Sequence, residues 1–125
     1  MRKILVIDDE ARIVDIIAEY LTIKGFEVLR AYGGQEGLDI IDNTPSIDLI
    51  ILDKKMPQIG GAAIIRHLRN HGIDIPVVVI TGSITLSQLI RARDMSYEEV
   101  LFKPVRLKVL ADTVKRILVS RSKKK

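Results

Sequence analysis

Cysteine and tryptophan are both missing from this chain of 125 residues, and only five residues are aromatic, three Tyr and two Phe. The first absence excludes disulfides and thiolate metal sites, and it suits a reducing compartment. With so few rings the core must be aliphatic, drawn mainly from Ile, Val and Leu. No apolar run reaches the length needed to span a bilayer. Met1 leads directly into a strand pattern, without signal-peptide architecture, so a cytoplasmic location is expected. There is no GxxxxGK or GxGxxG, and the first loop is acidic where a phosphate cradle would be rich in donors, which disfavours a nucleotide or flavin carrier.

What is present is enough apolar material for one domain: 47% of the residues are hydrophobic, which argues against disorder. The net charge of +4 conceals a split. From Lys103 onward nine Lys or Arg face one acid, Asp112, whereas residues 1–102 are net acidic. Residues 121–125 form a basic tail after a domain expected over residues 1–120. A solvated helix end explains that tail, and without a groove-reading element no direct nucleic-acid binding is expected.

Strand and helix patterns alternate throughout. Ala11 to Lys24 places Ile13, Ile16, Ile17, Tyr20 and Leu21 on one helical face, stopped by Gly25. Phe26 to Ala31 reads as a strand, and Gly33 to Asn43 as a helix around Leu38, Ile40 and Ile41. Ala62 to His71 is a third helix, Ile84 to Met95 a fourth and Val105 to Ser120 a fifth. The fifth carries a stripe of Val105, Val109, Leu110, Val114, Ile117 and Leu118. Apolar strands without alternation imply burial on both faces. Five such units with short connections predict a doubly wound α/β fold with a five-stranded parallel sheet and five helices.

Four strands end in reactive residues. Ile4-Leu5-Val6-Ile7 runs into Asp8-Asp9-Glu10, and Leu49-Ile50-Ile51-Leu52 into Asp53. Val77-Val78-Val79-Ile80 runs into Thr81-Gly82, and Val100-Leu101-Phe102 into Lys103-Pro104. Ligands of open parallel sheets bind beyond the strand carboxyl ends, so these residues should converge. Two like charges 4 Å apart repel by about 4 kcal/mol at an effective dielectric of 20. Asp8, Asp9 and Asp53 together therefore call for a cation. Oxygen-only donors favour Mg²⁺, and Mn²⁺ fits the same set. Lys103, the Thr81 hydroxyl and the Gly82 N–H are donors suited to phosphoryl oxygens, and Asp53 is a nucleophile suited to phosphorus.

Val6-Ile7-Asp8-Asp9-Glu10, Asp53 with Met56-Pro57 and Gly60-Gly61, Thr81-Gly82 and Lys103-Pro104 together resemble the receiver domain of two-component response regulators. The resemblance covers essentially the whole chain. It supplies the flavodoxin-like strand order 2-1-3-4-5, which chemotaxis receivers exemplify. It implies that Asp53 takes a phosphoryl group from a histidine kinase or a histidine phosphotransfer protein. Asp9 and Asp53, with the main-chain carbonyl of Lys55, would bind Mg²⁺, and Asp8 would assist. Lys103 would pair with phosphoryl oxygens, with Thr81 swinging toward them and Gly82 and Lys54 close by. The Lys103-Pro104 bond would be cis. Output would pass through the face formed by the fourth helix, fifth strand and fifth helix, which is also the expected homodimer surface. Such a protein is a phosphoacceptor assisting its own modification rather than an enzyme.

Several positions depart from that pattern. Val100 stands where the family carries its aromatic switch, and Tyr97 is the nearest substitute; alternation turns Phe102 away from Lys103. Lys55, two residues after the acceptor, and Ser83, two after Thr81, are candidates for tuning phosphate lifetime, although a solvated loop lysine is the simpler account of Lys55. His67 and His71 stand four apart, a spacing able to hold a metal. Leu68 occupies the place where a zinc-protease motif needs Glu, and the helix dipole explains the pair more simply. An aspartate-nucleophile phosphatase is the competing function. It requires an Asp two residues after its nucleophile on the first strand, where this chain has Glu10 after Asp8 and Ala11 after Asp9. The output target is not written in the sequence: a stand-alone regulator and the receiver portion of a longer DNA-binding or enzymatic regulator both fit.

Overall fold

The computed structural model describes residues 1–82 and 99–123, arranged as one parallel sheet covered on both faces by helices. The strands are β1 (Lys3–Ile7), β2 (Glu27–Ala31), β3 (Leu49–Asp53), β4 (Val77–Thr81) and β5 (Glu99–Phe102). Their order in space is β2-β1-β3-β4-β5, as expected. Three helices connect them, α1 (Ala11–Ile23), α2 (Gly34–Asn43) and α3 (Gly61–Asn70), and a fourth described helix, Leu107–Lys123, follows β5. The fourth helix expected over residues 84–95 lies outside the described residues, as do Ser83 and Tyr97.

Strand alternation divides the core into two layers. Ile4, Val6, Leu49, Ile51, Val78 and Ile80 face α1 and the Leu107–Lys123 helix, packing on Val14, Ile17, Leu21, Leu110, Val114 and Ile117. Leu5, Ile7, Ile50, Leu52, Val77 and Val79 face the other way, onto Ile41, Ile64 and Leu68 of α2 and α3. β1, β3 and β4 are buried on both faces almost throughout, whereas β2 and β5 lie at the edges and are only partly covered.

Two expected helix faces need correction. Ile16 is 47% exposed, and the buried stripe of α1 is Val14, Ile17, Ala18 and Leu21, with Ile13 and Tyr20 half-buried beside it. On the last helix Val109 is exposed. Val105 precedes the first turn, and Ala111 joins the buried set. That helix continues to Lys123, where the sequence pattern stops at Ser120. Arg121 is therefore helical, and its guanidinium lies 3.0 Å from Asp74 Oδ1.

Helix ends follow their local chemistry. At the end of α1, Gly25 adopts φ +98°, which lets the Phe26 N–H donate back to the Leu21 carbonyl at 3.1 Å. Gly34 meets a different demand. A Cβ there would sit 2.3 Å from the Ile59 carbonyl oxygen, so α2 approaches the loop after β3 too closely for any side chain.

Candidate functional site

Parallel pairing brings the strand ends to one edge of the sheet. Ile7 lies opposite Leu52 and Asp53 opposite Ile80, so Asp8 and Asp53 emerge side by side. Thr81 pairs with Phe102, and the Lys103 N–H donates to the Thr81 carbonyl at 2.8 Å, which sets Lys103 beside the end of β4. The Lys103–Pro104 peptide is cis.

Lys103 then reaches across the sheet edge. Its ammonium lies 3.2 Å from Asp53 Oδ2, 3.3 Å from Asp8 Oδ2 and 3.2 Å from Glu10 Oε1. Asp8 is fully buried and Asp53 nearly so. The remaining oxygens find backbone donors: the Glu10 N–H gives to Asp8 Oδ1 at 2.9 Å, and the Lys55 N–H to Asp53 Oδ1 at 3.3 Å. The first of these is a turn in which an Asp side chain binds the backbone two residues on. It folds Glu10 back over the pocket.

Burial and the neighbouring Asp53 charge push Asp8 up to about 6, against the hydrogen bond from Glu10 and the pull of Lys103. Burial opposes the charge on Lys103, yet hydrogen bonds to Asp53 and Glu10 and the charge of Asp8 hold the ammonium above its ordinary range. The pocket is thus an anionic cluster only partly neutralised by one cation.

A metal fits this donor set. Asp8, Glu10 and Asp53 each offer an oxygen within 4.8 Å of the others. Asp8 Oδ2 is buried, and among the described residues it has the Lys103 ammonium 3.3 Å away but no well-formed hydrogen bond. An unsatisfied buried carboxylate oxygen is costly, and a hard divalent cation would satisfy it.

The structure brings together Asp8, Asp53 and Lys103 among the residues singled out from sequence, with Thr81 buried at the adjoining strand end. Among the described residues, nothing beyond its chain neighbours lies within 4 Å of where a Cβ on Gly82 would stand. Lys54 is half-buried and Lys55 exposed. Asp9, expected among the metal ligands, is exposed, and it is Glu10 whose carboxylate lies with those of Asp8 and Asp53. The signal for Glu10 was its position two residues after Asp8. Val100 packs half-buried against the α2–α3 layer of the core, while Phe102 is 55% exposed on β5.

Residues 4–115 match the model for the response regulator receiver domain. This chain belongs to the receiver domain family. Response regulator MprA from Mycobacterium sp. (strain KMS) is 32% identical over 116 residues, covering 93% of this chain and 50% of that protein. The chain spans about half the length of such curated relatives. Among solved structures, a CheY-like response regulator receiver domain protein from Methanospirillum hungatei JF-1 is 25% identical with a TM-score of 0.93, covering 100% of this chain and 99% of that one. A response regulator receiver domain protein from Clostridium thermocellum is 37% identical with a TM-score of 0.87, covering 98% of each chain. Receiver domains are phosphoacceptor signalling domains that bind Mg²⁺ in general. These likenesses favour the receiver over the phosphatase reading. No helix among the described residues is long and apolar enough to cross a membrane.

Proposed function

We propose that this receiver takes a phosphoryl group on Asp53 from the phosphohistidine of a sensor kinase or a histidine phosphotransfer protein. A carboxylate oxygen of Asp53 forms the new O–P bond while the P–N bond to imidazole breaks, and the imidazole nitrogen leaves with the electron pair. The observation that carries this reading is the Lys103 ammonium, held within 3.3 Å of both Asp8 and Asp53. Lys103 neutralises the nucleophile's surroundings before transfer and holds a phosphoryl oxygen after it.

Thr81, Gly82 and Lys54 supply further donors around those oxygens. Asp9 and Asp53, with the Lys55 carbonyl and with help from Asp8, would hold Mg²⁺, or Mn²⁺ in its place. The ion's contribution is charge neutralisation of the oxygens gathered on phosphorus. Residues 1–120 constitute the receiver unit, which works in the cytoplasm. Its output is a change in the surface around β5 and the helices beside it, with Thr81 as the moving group and Val100 and Tyr97 as the candidate switch positions. Pairing of two copies through that surface is the corresponding assembly.

Incubating the chain with a small acyl phosphate and Mg²⁺ tests the proposal. The expected product carries one phosphoryl group, mapped to Asp53 and missing from Asp53→Asn. A folded protein that stays unlabelled would overturn it, and repeated turnover of a phosphate ester would restore the hydrolase.

A further inference from the structure

Both histidines of the chain lie together outside the acidic pocket, and there is no cysteine. All the imidazole and thiolate chemistry of this protein is therefore concentrated at one place. His67 is in the last turn of α3 and His71 is its C-cap, with ring centroids 4.2 Å apart. Spacing alone leaves the helix dipole as a sufficient explanation. The structure adds a third residue and a defined proton arrangement.

His71 Nδ1 is 2.8 Å from the His67 carbonyl. A carbonyl only accepts, so Nδ1 carries the proton and Nε2 of a neutral ring keeps its lone pair. His67 Nε2 is 2.9 Å from Asp42 Oδ1, which also accepts, so the lone pair of neutral His67 rests on Nδ1. Each ring has one nitrogen anchored to oxygen and the other left basic. That is the arrangement in which metal-bound imidazoles are held, including a carboxylate behind one of them. Asp42 belongs to α2, so the anchor comes from a different helix. The C-terminal end of α3 also favours positive charge.

We propose that His67 and His71 form a two-imidazole chelate for a borderline divalent transition ion such as Zn²⁺ or Ni²⁺. Asp42 is a positioning residue and water completes the coordination. The site is separate in chemistry from the oxygen-lined pocket, because imidazole selects Zn²⁺ and Ni²⁺ where carboxylates suit Mg²⁺. Occupation ties α2 to α3, since metallation of one His67 nitrogen polarises the other N–H toward Asp42.

The test is calorimetric titration of tag-free, full-length chain with ZnCl₂ and separately NiCl₂, in ample Mg²⁺ to keep the acidic pocket filled. One saturable site is expected for each ion. His71→Ala should weaken it by about tenfold or more, and Asp42→Asn by about 10–100-fold, the range for loss of an outer carboxylate. The H67A/H71A double variant should abolish it. His71 is exposed, so its replacement leaves the core untouched, and melting in Mg²⁺ verifies the fold of each variant. No saturable binding, or wild-type affinity in the double variant, overturns the chelate. Unchanged affinity in Asp42→Asn overturns the positioning role.

Discussion

Lys103 and Asp53, fifty residues apart in the chain, meet with Nζ 3.2 Å from Oδ2. The same ammonium touches Asp8 and Glu10, so removing it leaves three carboxylates facing one another. Lys103→Ala should lower metal-free stability by about 1–3 kcal/mol, less than a fully buried pair because the lysine is partly exposed. Mg²⁺ should recover more stability in the variant than in the parent, since it replaces the missing charge. Urea melts with and without Mg²⁺ measure both quantities, and an equal Mg²⁺ effect in the two proteins would contradict the charge balance.

Asp8 gives a pH dependence whose sign follows from its surroundings. Its folded value, about 6, lies above the ordinary 3.8. The acid thus favours folding below 3.8, and that contribution is lost as pH rises through 6. At pH 7 the ionised, buried carboxylate is a burden on the metal-free fold. Asp8→Asn should then stabilise metal-free protein by about 1–3 kcal/mol at pH 7, the gain shrinking toward zero near pH 4. Denaturation midpoints across pH 4–8 would reveal it, and a gain independent of pH would exclude ionisation as its cause.

The metal prediction is the converse. An ion bound to the folded state stabilises it by mass action, and protons compete for Asp8. The rise in Tm produced by Mg²⁺ at pH 7.5 should fade as pH falls through about 6 and be largely absent in Asp8→Asn. Thermal melts at fixed Mg²⁺ over that range decide it; a Tm rise of constant size would show that the ion binds elsewhere.

The parallel α/β layout and the convergence of Asp8, Asp53, Thr81 and Lys103 were legible because uninterrupted apolar strands end in polar residues, whereas the strand order came from the resemblance to receiver domains. The contact of Glu10 with Lys103 was not legible. It depends on the turn closed by the Glu10 N–H on Asp8 Oδ1, and adjacent acids give no clue to which side chain folds inward. The mutual anchoring of His67 and Asp42 was hidden for a different reason, since it requires the packing of α2 against α3. Periodicity likewise outlined α1 but blurred its edge, because Ile16 and Ile17 are equally apolar and only one of them meets the sheet.

That last pair makes a clean contrast. Ile17→Ala removes a side chain that is 2% exposed and packed in the core layer shared with the Leu107–Lys123 helix, and should cost about 2–5 kcal/mol. Ile16→Ala, at 47% exposure on the same helix, should change stability by no more than about 0.5 kcal/mol. Parallel urea melts compare them directly, and a large loss at Ile16 would move the face of α1.

Gly34→Ala tests the seam between α2 and the loop that follows the acceptor. Helix propensity alone would make alanine better by about 1 kcal/mol. The added Cβ, however, would come within 2.3 Å of the Ile59 carbonyl oxygen and 2.7 Å of the Ile59 Cβ, and backbone is the harder obstacle to move. Overpacking of this kind typically costs about 1–3 kcal/mol, so the sterics should win and the variant should be destabilised. Gly33→Ala is the matched control, because among the described residues nothing lies within 4 Å of a Cβ there. Denaturant midpoints that fall for Gly34→Ala and hold for Gly33→Ala would establish that α2 is seated against the acceptor loop through bare backbone; equal midpoints would show that the loop yields.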